Sequence, residues 1–182
     1  MFVGVHAGER RARTERSCAL AGHDSGQLAL SACAWYRPRY HMKPHVVLDT
    51  NVLIAGLRSR RGASFALLGL LAKEAFEISV SVPLVLEYEA VARQQARELG
   101  LTYADVDTVV DFVCRQAHHR TIFYLWRPFL RDPNDDMVLE VAVEAQCEYI
   151  VTFNTQDFAG VEQFGLRTLT PGAFLAVLQE DV

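Results

Sequence analysis

His45-Val46-Val47-Leu48-Asp49-Thr50-Asn51-Val52-Leu53-Ile54-Ala55-Gly56-Leu57 is the stretch on which the fold turns. Val46 to Leu48 is a short apolar run rich in β-branched residues, which reads as a strand buried on both faces. It passes without a linker into Asp49, after which Val52 to Leu57 continues as a helix. A buried strand feeding a helix in this way is the unit of a parallel sheet, because parallel neighbours need a helical crossover.

Outward from this unit the pattern repeats. Arg58 to Gly62 is a polar turn, and Phe65, Leu67, Leu68, Leu70 and Leu71 fall in a second helix ending near Glu74. Glu77 to Val82 alternates Ile78, Val80 and Val82 as a strand. Pro83 suits the first turn of a helix, where its missing N–H costs nothing, and Gly100 stops that helix after Leu99. Thr102 caps a helix from Tyr103 to about Ala117, and Thr121 to Leu125 reads as a further strand. Arg131 to Asp136 is a turn leading into a helix with Val138, Leu139, Val141, Ala142 and Ala145 inward. Glu148–Thr152 and Leu166–Leu169 are strands, and Pro171 to Leu178 is a closing helix. Strands alternating with helices predict a three-layer α/β/α domain around a central, mainly parallel sheet.

Composition limits the function. The chain has 182 residues, 51% of them hydrophobic, enough for a core without disulfides. Its longest apolar stretch, Phe65 to Ala72, is far short of the ~20 residues that span a bilayer, so no membrane partner is expected. Residues 1–41 hold six arginines and three acids, whereas residues 42–182 hold 12 basic and 19 acidic side chains. An acidic body does not coat nucleic acid passively, and a phosphate partner must be met by a basic cluster or by metal ions. The cysteines at 18, 33, 114 and 147 form no Cys-x-x-Cys pair. His118-His119, read as lying on a helix, would point in different directions, so no structural zinc is expected. Reduced thiols fit a cytoplasmic chain. Residues 1–41 show no helical or strand period and read as a disordered leader or an overlong start, leaving residues 42–182 as the domain.

In open parallel sheets ligands bind beyond the carboxyl ends of the strands. Asp49 follows the first strand, Glu87 lies a turn into a helix that follows a strand, Asp135 and Asp136 begin a helix, and Asp157 follows the Tyr149–Thr152 strand. Four acids from four segments on one rim repel one another unless cations sit among them, and hard oxygen ligands suit Mg²⁺ or Mn²⁺. Singly, each acid has an ordinary reading as a cap, a turn former or part of a solvated helix face.

At these residues the chain resembles a known family. Val47-Leu48-Asp49-Thr50-Asn51-Val52-Leu53 resembles the opening motif of the PIN-domain family, metal-dependent ribonucleases that include the VapC-type toxins of toxin–antitoxin pairs. Pro83-Leu84-Val85-Leu86-Glu87-Tyr88, Arg131-Asp132-Pro133-Asn134-Asp135-Asp136 and Ile150-Val151-Thr152-Phe153-Asn154-Thr155-Gln156-Asp157-Phe158 resemble its later acidic segments, and Leu169-Thr170-Pro171-Gly172-Ala173-Phe174-Leu175 its end. The resemblance runs from about Pro44 to Leu178.

It implies that Asp49, Glu87, Asp135 and Asp157 are the catalytic and Mg²⁺- or Mn²⁺-binding acids. Thr50, Asn51, Asp132, Asp136 and Asn154 are implied supports. Many members carry an aspartate where Asn154 stands, and the register leaves Asp135 and Asp136 as alternatives, with Asp135 favoured because Ala142 falls seven residues later. The implied reaction is hydrolysis of phosphodiester bonds in single-stranded RNA by cation-activated water, with a 5′-phosphate product. Arg58, Arg60 and Arg61, following the first helix, are candidate contacts to RNA phosphates or simply a solvated turn.

The partners implied are RNA, a cognate antitoxin protein and a second copy of the chain. The helix at Phe65–Lys73 is apolar on more than one face, so either a homodimer covers it or the domain buries it all round. Three rivals stand beside the toxin reading: a PIN-like RNA-processing nuclease, a non-catalytic PIN-like binding module, and a phosphohydrolase on another doubly wound sheet. The last would place an aspartate where Asn51 stands. A chain begun at Met42 is expected to unfold in one cooperative thermal transition; loss of that transition relative to the full chain would show that residues 1–41 belong to the fold.

Overall fold

The computed structural model describes residues 43–180; the expectation for residues 1–41 lies outside them. Five strands, β1 (His45–Leu48), β2 (Glu77–Ser81), β3 (Ala117–Arg120), β4 (Tyr149–Val151) and β5 (Arg167–Leu169), form one sheet in the order β3-β2-β1-β4-β5. Every neighbouring pair is parallel. The helices are α1 (Thr50–Arg58), α2 (Ala63–Leu71), α3 (Val82–Leu99), α4 (Tyr103–Gln116), α5 (Asp136–Glu144) and α6 (Pro171–Glu180), with a 3-10 turn at Val161–Phe164. The α/β/α architecture and its parallel sheet are those expected.

β1 sits in the middle because its side chains are apolar on both faces: Val46, Val47 and Leu48 are all buried. Successive connections run outward from it to β2 and β3 on one side, then return to β4 and β5 on the other. The direction therefore reverses between β1 and β4, and adjacent loops leave a crevice at their carboxyl ends.

Helix ends follow local chemistry. Ser81 caps α3 by accepting from the Leu84 amide, Pro83 stands in its first turn, and Gly100 ends it at φ 66°, a left-handed conformation that favours glycine. Thr102 and Asp105 form a reciprocal capping box at α4. On α2, Leu67 and Leu71 are buried and Leu68 and Leu70 half-buried, while Phe65 stays 42% exposed. This helix is not enclosed all round by the described residues. None of the described helices is long and apolar enough to cross a membrane.

Two strand expectations need correction. The third strand is Ala117–Arg120, not Thr121–Leu125, which is irregular and leaves Phe123, Tyr124 and Leu125 exposed. His118 and His119 accordingly lie on β3 and not on a helix; His118 meets Glu77 at 3.1 Å and His119 the Cys114 carbonyl at 2.8 Å. Val82 is the first residue of α3 and is exposed, while Ser79 and Ser81 are buried, so β2 is covered on both faces and does not alternate.

The irregular segment is moored from α5. Glu140, 2% exposed, accepts two bonds from the Arg127 guanidinium, each 2.9 Å, and one from the Trp126 amide at 3.2 Å. Such paired geometry makes a buried carboxylate tolerable.

Tyr88, fully buried on α3, donates its hydroxyl to the Leu48 carbonyl at the last residue of β1. Tyr88→Phe removes the donor and leaves the packing. We expect about 1–2 kcal/mol less stability, read as a lower urea midpoint with an unchanged slope.

Candidate functional site

Asp49 ends β1 and caps α1, and only 5% of it is exposed. Its Oδ2 accepts from Asn51 Nδ2 and from Thr152 Oγ1, both at 2.6 Å, while Oδ1 has a longer contact from the Asn51 amide at 3.4 Å. Asn51 also donates to Thr152 Oγ1 at 3.2 Å, and its carbonyl accepts from the Phe153 amide at 3.3 Å. Thr152 Oγ1 accepts in turn from the Asn154 amide at 2.9 Å. The ends of β1 and β4 are thus joined through one carboxylate, one amide and one hydroxyl. Burial pushes the Asp49 carboxyl above its ordinary range, against the pull of the hydrogen bonds from Thr152, Asn51 and Thr50.

Glu87 reaches the same crevice from the second turn of α3, where Thr50 Oγ1 donates to its Oε1 at 2.7 Å. Asp157 follows β4, its amide bonded to the Asn154 carbonyl at 3.0 Å. Asp135 stands at the start of α5 and, among the described residues, spends no side-chain bond on capping it. Desolvation first, then the charges of Asp49, Asp132, Asp157 and Glu87, raise the Asp135 carboxyl from 3.8 to about 7. Four sequence-distant acids therefore share one electrostatic neighbourhood with Asp135 at its focus.

The adjacent acid does something else. Asp136 is fully buried and turned the other way, its Oδ1 accepting from the amides of Leu130 (2.9 Å) and Phe129 (3.3 Å). Its Oδ2 has no partner among the described residues. Asp132 is exposed and closes its own turn by accepting from the Asn134 amide at 2.9 Å. Asn154 is exposed, with its backbone in the Thr152 turn.

Arg58 does not lie beside these acids. α1 begins at the crevice and Arg58 is its last residue, roughly 12 Å away along the axis. There its guanidinium donates to Gln95 at 2.6 Å, and Arg60 and Arg61 are exposed beyond it. Thr152 is the participant that sequence reasoning did not single out; a hydroxyl directly after an apolar strand, where the first strand has Asp49, was the available signal.

Among the described residues no group of three or more His, Cys, Asp or Glu stands ready-formed around a metal position. The donor set nonetheless fits a hard divalent cation: all carboxylate oxygens, more acidic charge than the site's own hydrogen bonds offset, and one member driven to about 7. Neither described cysteine is suited to this; Cys147 is buried and pushed up to about 12 by that burial.

A family model described as a PIN domain matches residues 45–156. The fold is similar to that in a crystal structure of VapBC2 from Rickettsia felis bound to a DNA fragment from its promoter. The likeness has a TM-score of 0.50 and 16% identity over 69% of this chain and 98% of that one, which speaks to fold alone. No curated protein matches the chain.

An acid whose pKa is raised by folding favours the fold when protonated, so Asp135 costs the cation-free domain stability as pH rises above about 4, with the full penalty reached above about 7. In chelator, Asp135→Asn is expected to be more stable than the parent at pH 8. The gain is about 1–2 kcal/mol once solvent screening of this half-exposed carboxyl is allowed for. Denaturant melts from pH 8 to pH 4 should show the gain shrink to nothing; a pH-independent difference would mean the acids do not interact.

Proposed function

Because this chain belongs to the PIN-domain family, whose members are generally nucleases using divalent metal ions, we propose that it is a metal-dependent endoribonuclease acting on single-stranded RNA. The observation that carries this reading is the convergence of Glu87, Asp49 and Asp157 on Asp135 at the reversal point of the sheet.

Asp49, Glu87, Asp135 and Asp157 would hold Mg²⁺ or Mn²⁺. Bound there, the ions supply a lowered pKa for an attacking water and offset the charge growing on the phosphate oxygens. The chain's own residues set the directions. Asn51 and Thr152 occupy Oδ2 of Asp49, leaving Oδ1 with only the longer contact from the Asn51 amide, and Thr50 fixes Oε1 of Glu87. Water adds to phosphorus, the bond to the 3′ oxygen breaks, that oxygen takes a proton, and the products carry a 5′-phosphate and a 3′-hydroxyl. Neither a protein nucleophile nor the 2′-hydroxyl takes part.

The fold likeness to VapBC2 supports a place for this chain as the toxin of a toxin–antitoxin pair in the cytoplasm, with a cognate antitoxin protein and a second copy of itself as partners. The half-exposed apolar side of α2, including Phe65, supports such assembly.

Purified protein should cut single-stranded RNA in Mg²⁺ or Mn²⁺, stop in EDTA and recover on re-addition of metal. Asp49→Asn should lower kcat at least ~100-fold, since removing one well-placed charged group costs several kcal/mol at the transition state. Full cleavage in chelator, or unaltered turnover in the variant, would overturn the mechanism.

A further inference from the structure

Phe153 is half out of the protein, 50% exposed, and directly follows Thr152, whose hydroxyl binds Asp49. Phe76, Phe158 and Phe174 are buried, whereas Phe65 and Phe123 are exposed like Phe153 but are not tied to Asp49. The Phe153 backbone is also held firmly. Its amide donates to Asn51 Oδ1 at 3.3 Å, the preceding Thr152 donates to Asp49 at 2.6 Å, and the following Asn154 amide returns to Thr152 at 2.9 Å. The ring is therefore carried on the same hydrogen-bonded knot that orients Asp49.

We propose that Phe153 is a stacking platform for a base of the RNA strand next to the scissile phosphate, an inference that rests on the nuclease reading above. A phosphate drawn to the acid cluster brings its flanking bases to this rim. Arg58 ends α1 about a helix length away, whereas Phe153 directly follows the threonine that binds Asp49 and offers an exposed aromatic ring. Every base has a π-face, and stacking on an exposed aromatic holds single strands with little regard to sequence. A protein partner fits less well, because the sequence neighbours of Phe153 are buried Thr152 and exposed, polar Asn154, which add no apolar surface to it. Phe123, Tyr124 and Leu125 are exposed as well, but no hydrogen bond ties them to Asp49.

The test uses a short single-stranded RNA carrying one 2-aminopurine, whose fluorescence falls on stacking, in Mg²⁺ with full-length Asp49→Asn protein so that the strand persists. Adding Phe153→Leu, which keeps an apolar side chain but no π-face, should weaken binding about 5- to 150-fold and abolish the quench. Adding Phe153→Trp should keep both. Thermal melts confirm that the variants fold. A folded Leu variant with undiminished affinity and quench would overturn the proposal and leave the ring to a protein partner. Cleavage by the parent is measured separately. If the parent cuts RNA and the Leu variant binds as before, only the stacking role falls; if the parent cuts no RNA, the nuclease reading falls and takes this inference with it.

Discussion

Asp49 is a charged group withdrawn almost wholly from water at the centre of the molecule, and the two halves of the sheet meet around it. A buried carboxylate is costly unless its lone pairs are satisfied. Here Asn51 supplies one donor from the helix that Asp49 itself caps, and Thr152 supplies another from the far strand. The same interaction therefore ends β1, starts α1 and registers β4 against β1. Burial still raises the carboxyl's affinity for a proton, so the hydrogen bonds orient the group without fully compensating its charge. That residue of uncompensated charge gives the crevice its chemistry.

The opposite wall depends on a division of labour between neighbouring acids. Asp135 and Asp136 differ by one position at the start of α5, yet one faces the acid cluster and the other grips the backbone of Phe129 and Leu130. One turn further on, Glu140 binds Arg127 and the Trp126 amide. α5 thus pins the irregular segment on one side and offers a single carboxylate on the other. Moving the register by one residue would bury the wrong acid.

Most of the fold was legible because buried strands and amphipathic helices leave apolar runs of the right length. The exceptions have physical causes. Thr121 to Leu125 looks like a strand because its residues are mostly bulky, β-branched or aromatic, but strand formation needs a partner, and β2 pairs with the polar Ala117-His118-His119-Arg120 at the sheet edge. An edge strand, exposed on one side, has no need of an apolar run. Asp49, Glu87, Asp135 and Asp157 could be singled out because each follows a strand or begins or lies within the first turns of a helix, and the family motifs fixed their order. What spacing could not show was direction: that Asp136 turns inward, that α1 carries Arg58 away, and that Thr152 closes the knot. Those depend on which segments meet in space.

The bond between Asp49 and Thr152 spans 103 residues of chain, and β1 acquires its second neighbour only when β4 pairs with it. Contacts of such long sequence separation carry a large loop-closure cost and form slowly. During synthesis, a growing chain that has already laid down β1, β2 and β3 holds Asp49 and Glu87 but lacks the hydroxyl that aims Asp49 and the acid that follows β4. In the nuclease proposed above, competence to cut is thereby deferred until β4 and the turn after it have been made and paired with β1.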